Sequence, residues 1–197
     1  MPGSRRWVGL AGALATLAVL LHGAPREALD WQPALALREP WRALSAVAVH
    51  YSALHLGANL VGVALVAALG AVARPPTALT WAWVAAWPLT HAALLARPDL
   101  AHYGGLSGVL HAGAAVIAVH LVRTGPAVQR IIGVALAAGL LVKVVGEAPW
   151  GAALRQPAGW DIATAPLAHA TGAIAGLVCA TLATAWEARR THSPADA

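Results

Sequence analysis

Charged side chains are scarce in this chain: Asp, Glu, Lys and Arg make up 11% of its 197 residues, against 59% hydrophobic. A water-soluble domain carries roughly 25% charged residues, so too few remain here to cover a water-facing surface. Cysteine is nearly absent. Cys179 stands alone in an apolar run, which excludes an internal disulfide and any cysteine-built metal site. Basic clusters long enough to track phosphates are missing too, although the net charge is +5, and this excludes a nucleic-acid groove. There is no internal repeat and no His-Glu-x-x-His helix of the kind that builds a zinc protease site.

What the chain does have is long apolar runs, each approaching the ~20 residues that cross a bilayer as a helix. Six spans are expected, at about 7–21, 44–72, 78–95, 105–122, 128–145 and 165–186. The length suits one compact all-α membrane bundle, a single domain over residues 1–197. Short breaks separate the spans, at Arg74-Pro75-Pro76, Arg97-Pro98-Asp99 and Arg123-Thr124-Gly125-Pro126. Two longer polar stretches follow the first and fifth spans, and Trp residues near span ends fit an interfacial belt. Small residues crowd the spans, as expected where helix backbones approach closely in lipid.

Arg5 and Arg6 before the run from Trp7 to Leu21 give the start of the chain the look of a signal peptide, but a retained first helix gives the better topology. With the N-terminus inside, Arg5, Arg6, Arg74, Arg123, Arg130, Arg189 and Arg190 are cytoplasmic, seven basic residues against five outside. Glu27, Asp30, Glu39, Asp99, Glu147 and Asp161 then all fall outside. Both termini are expected in the cytoplasm, and the second, fourth and sixth spans run inward from the outer face.

Polar and ionisable residues inside spans are expensive, and each is therefore a functional candidate. His50, His55 and Asn59 lie in the first half of span two, Ser107 and His111 at the start of span four, and His169 at the start of span six. All three groups fall at one depth, just below the outer surface, and packing alone gives no reason for that. Ser107 sits in Gly105-Leu106-Ser107-Gly108 at a helix start, where a nucleophile finds close backbone approach and free N–H groups. Gly172 and Gly176 share the helical face of His169 and let a neighbouring helix come close. His55 and Asn59, four apart on one face, both donate hydrogen bonds, as an oxyanion site requires. The plainer alternatives are a packing face for the glycines and a polar clamp between helices for Asn59. For His50, a structural role and a catalytic one stand equal.

Taken in order, Trp41-Arg42, His50-x4-His55-x3-Asn59, Gly105-x-Ser107-Gly108 and Ala168-His169-x-x-Gly172-x-x-x-Gly176 resemble the rhomboid family of intramembrane serine proteases over nearly the whole chain. The resemblance implies a six-helix core and a Ser107–His169 dyad without a third carboxylate, needing no cofactor. Ser107 would attack the scissile carbonyl, with His169 as general base and then acid. The Ser107 N–H, His55 and Asn59 would form the oxyanion hole, and Trp41 and Arg42 a structural motif in the loop after the first helix.

Within the family the chain is most similar to rhombosortases, on its compact size, the run Gly105 to His111, and Lys143 with Glu147 near the end of span five. That branch implies a bacterial inner-membrane location and a site opening to the periplasm. It also implies membrane-anchored substrates ending in a Gly-Gly motif, a helix and a basic end. His111 departs from the commoner pattern, in which a tyrosine follows the serine by four residues. It can stack on His169 or serve structure alone. Lys143 and Glu147, one turn apart, read most simply as an ion pair. The main rival is an inactive relative that binds client helices, although such relatives usually lose the serine or histidine.

Overall fold

A computed structural model describes residues 2–191 and contains six long helices. They are α1 (Pro2–Leu20), α2 (Ala53–Ala73), α3 (Thr77–Ala92), α4 (Ser107–Thr124), α5 (Ala127–Gly146) and α6 (Pro166–Thr191). By length and composition, α2, α4, α5 and α6 can cross a membrane. No strands form among the described residues. Two isolated bridges, Trp31 with Tyr103 and Arg155 with Thr164, tie the outer loops.

Local chemistry sets the helix ends. Pro75 and Pro76 follow Arg74, which closes α2 in the left-handed conformation at φ 52°. Proline cannot continue a helix but begins one well, so α3 starts directly after Pro76. Gly125-Pro126 divides α4 from α5 in the same way. The start of α2 departs from the sequence expectation. The apolar run from Leu44 divides into a helical turn at Arg42–Ser45, a 3-10 turn at Ala46–Ala48 and extended Val49, and α2 begins only at Ala53. Ser52 causes the late start: its hydroxyl accepts the His55 N–H at 3.0 Å and caps the helix. His50 therefore precedes the helix rather than lying in it.

At the centre, α4 buries most of its length. Trp7 of α1 and Trp83 of α3 stack with ring centroids 4.4 Å apart. Each indole N–H donates to a neighbouring helix carbonyl, Trp7 to Val66 at 2.9 Å and Trp83 to Val109 at 2.8 Å. These two are core residues rather than members of an interfacial belt; Trp81, Trp150 and Trp186 are exposed. Small residues bring α6 onto α4: a Cβ at Gly172 would overlap the Gly108 carbonyl, and one at Gly176 the Ala112 carbonyl. By contrast α5 is peripheral, and Gly133, set against Leu121 and Val122, is its buried residue. An apolar cavity of about 540 Å³ lies along α4, α5 and α6, lined by residues such as Ala118, Leu141, Ile174 and Leu177. Val61, Leu65, Ile131, Val142 and Leu182 face outward, which costs nothing when the surroundings are acyl chains.

The loop after α1 is pinned by Arg42, 5% exposed. Its Nη1 donates to the Glu27 carbonyl at 2.7 Å and the Asp30 carbonyl at 2.9 Å, and its Nε to the Glu39 carboxylate at 2.5 Å. Five guanidinium donors make arginine suited to gathering several acceptors at once. Neighbouring Trp41 is half exposed on the loop surface.

Candidate active site

Residues near the starts of α2, α4 and α6 meet at one end of the bundle. Ser107 is the first residue of α4 and His169 lies in the first turn of α6. The Ser107 hydroxyl and His169 Nε2 are 2.9 Å apart, a direct hydrogen bond. Gly108 and Gly172 make this approach possible, since they bring the two helix backbones together beside the pair. At Gly108 itself a Cβ would lie 2.7 Å from the Ala168 carbonyl oxygen.

The other ring nitrogen of His169 is engaged as well. Its Nδ1 lies 2.6 Å from Glu147 Oε2. A carboxylate accepts only, so a proton sits on Nδ1, and in its neutral form the ring presents the Nε2 lone pair to Ser107. Glu147 immediately follows α5 and pairs through Oε1 with Lys143, so its carboxylate bridges a lysine and the histidine. Burial by itself raises the Glu147 pKa. The hydrogen bond from His169, with the hydrogen bond and positive charge of Lys143, outweighs it and holds the carboxyl below its ordinary value. The expected ion pair with Lys143 is present, and Glu147 has a second partner, His169, that the expected dyad does not include. A Lys–Glu pair at this spacing accounts for both residues in sequence, and only the folding of α5 beside α6 reveals a second partner.

His111 stacks face to face on His169, with centroids 4.3 Å apart and planes 8° apart, while its own Nδ1–H donates to the Ser107 carbonyl at 2.7 Å. The ring of His169 is thus fixed at both nitrogens and on one face.

Across the site, Gly105 has φ +127°, a conformation that side chains disfavour. A Cβ there would lie 2.7 Å from His55 Nε2 and 3.7 Å from Asn59 Nδ2. His55 and Asn59 therefore reach the same small space from α2. The Tyr51 backbone N–H points at His55 Nδ1 at 3.4 Å, which leaves the proton on Nε2 as a donor toward Gly105. His50 is buried beside His55, centroids 4.8 Å apart, and donates from Nδ1 to the Ala48 carbonyl at 3.2 Å. Its ring packs against that of His55, and it does not line the space beside Ser107. Trp41 and Arg42 belong to the loop and do not enter the site.

A cavity of about 40 Å³ opens beside Ser107, lined by residues including Tyr51, His55, Tyr103, Leu154 and His169. Among the described residues, no three His, Cys, Asp or Glu side chains gather in a way that could hold a metal ion.

No curated protein matches the chain. The rhomboid domain does match it, over residues 37–186, a stretch that contains α2 to α5, most of α6 and every side chain of the site just described. Three quarters of the sequence is thereby accounted for, and this multi-pass membrane protein belongs to the rhomboid family.

Proposed function

We propose that the chain is an intramembrane serine endopeptidase in which Ser107 is the nucleophile and His169 the general base. The observation that carries this reading is the 2.9 Å hydrogen bond from the Ser107 hydroxyl to a His169 ring whose Nε2 is free to accept the proton. As the Ser107 oxygen bonds to the scissile carbonyl carbon, its proton passes to Nε2. The imidazolium then protonates the leaving amine, and water releases the acyl group by the same steps in reverse. Negative charge developing on the carbonyl oxygen is met by His55 Nε2–H, the Asn59 amide and the Ser107 backbone N–H at the start of α4. The fixed positions of His55 and Asn59 beside Gly105 support that assignment.

The six long helices support a six-span arrangement, and the excess of basic residues on the N-terminal side supports a site that opens to the outer, periplasmic face of a bacterial inner membrane. A cavity of only about 40 Å³ beside the nucleophile favours residues with little or no side chain there. That preference fits the rhombosortase reading, in which a membrane-anchored protein is cut at a Gly-Gly motif ahead of its helix and basic end.

The test is covalent labelling of detergent-purified protein with a fluorophosphonate. Wild type should label, and Ser107→Ala and His169→Ala should not. Absence of labelling in wild type, under conditions that label an active rhomboid, would replace the protease reading with a client-binding one.

A further inference from the structure

The contact of His169 with Glu147 joins side chains from two helices, α4 and α6, and from the residue that caps α5 into one chain of hydrogen bonds. It runs from Ser107 Oγ to His169 Nε2 at 2.9 Å, and from His169 Nδ1 to Glu147 Oε2 at 2.6 Å. Its far end is anchored, because Lys143 holds the second carboxylate oxygen. The backbone around Glu147 is fixed as well. Its N–H donates to the Lys143 carbonyl at 3.2 Å, and its carbonyl accepts from Arg155 Nη1 at 2.6 Å. The next residue, Ala148, turns to φ 50° and ends the helical path there. The Glu147 side chain is 25% exposed and that of His169 is 9% exposed, so the bond between them is largely sheltered from competing water.

We infer that Glu147 is a positioning residue for His169, the third member of a Ser107–His169–Glu147 relay whose carboxylate is braced by Lys143. This rests on the protease reading above. Glu147 does two things that a dyad leaves undone. It keeps the proton on Nδ1, so that Nε2 is always the acceptor facing Ser107. It also places a negative charge against the imidazolium that forms when Ser107 gives up its proton. Other groups facing His169 cannot supply that charge: His111 stacks on its ring and His55 lies across the site, neither of them an anion. The relay also explains why Lys143 and Glu147 stand where they do in an otherwise apolar helix end, where a surface ion pair alone contributes little.

Glu147→Gln separates positioning from support, since glutamine keeps the side chain's size but carries no charge, and its amide can donate to Nδ1 as readily as accept from it. In detergent-purified full-length protein, the rate of fluorophosphonate labelling is measured against pH for wild type, Ser107→Ala, Glu147→Gln and Glu147→Asp, with melting temperature recorded for each. Wild type should label and Ser107→Ala should not. Glu147→Gln should fall by about 10²- to 10⁴-fold, the range seen when the acid of a Ser-His-acid triad is neutralised or general-base catalysis lost. Its pH profile should shift while its melting temperature holds, and Glu147→Asp should recover part of the rate. In ¹⁵N-histidine protein, with His169 assigned by the His169→Ala variant, the wild-type ring should carry its proton on Nδ1 and the Glu147→Gln ring should lose that preference. Labelling of Glu147→Gln at the wild-type rate and with the wild-type profile would overturn the relay and leave the protease reading standing. Failure of wild type to label would overturn both.

Discussion

A single methyl group at Gly105 would meet two obstacles at once. The backbone there has φ +127°, and the added carbon would lie 2.7 Å from His55 Nε2. Gly105→Ala should therefore displace the donor from the place where the oxyanion forms. A misplacement of about 1 Å typically costs about 10²-fold in rate, and the labelling rate of the folded protein should fall at least that far, with a lower melting temperature from the strained backbone. A wild-type rate would mean that His55 does not serve the oxyanion. Ser107, His55, Asn59 and His169 were legible in the sequence because polar groups in apolar helices are conspicuous, and their depths coincide. Glu147 was not. Lys143, one helical turn before it, already gives it a partner, and nothing in a linear pattern reports a third group on another helix.

Among the helices, the pairing of α4 with α6 matters most for the site, because it sets the distance between nucleophile and base. Gly172→Ala would push a methyl group into the Gly108 carbonyl, and the helices would have to part. Overpacking of this kind typically costs about 1–3 kcal/mol. The expected result is a lower melting temperature together with loss of labelling; unchanged labelling would show that the Ser107–His169 distance has slack. Helix ends marked by proline pairs or Gly-Pro could be read from the sequence to within a few residues. The start of α2 could not, since Leu44 to Val49 continues the apolar pattern with Ser45 as its one polar residue. The break comes from Ser52, whose capping bond is a matter of backbone geometry rather than hydropathy. Likewise, the stacked Trp7 and Trp83 look like belt residues until α1 and α3 are brought together.

Taken as a whole, the bundle is unevenly held. α1, α2, α3, α4 and α6 share a core closed by the tryptophans and the glycine contacts. By contrast α5 buries little beyond Gly133 and borders a cavity of about 540 Å³. Few buried contacts mean a low free energy of local opening. Amide hydrogen exchange in detergent should accordingly be faster along α5 than along α4, and equal protection would contradict this view of the bundle. Such unevenness bears on timing. Because Glu147 is carried at the end of α5, each excursion of that helix withdraws the carboxylate from His169 while Ser107 and His169 stay paired on their glycine seam. The fraction of time that α5 spends docked is then a ceiling on the fraction of time that all three side chains stand aligned.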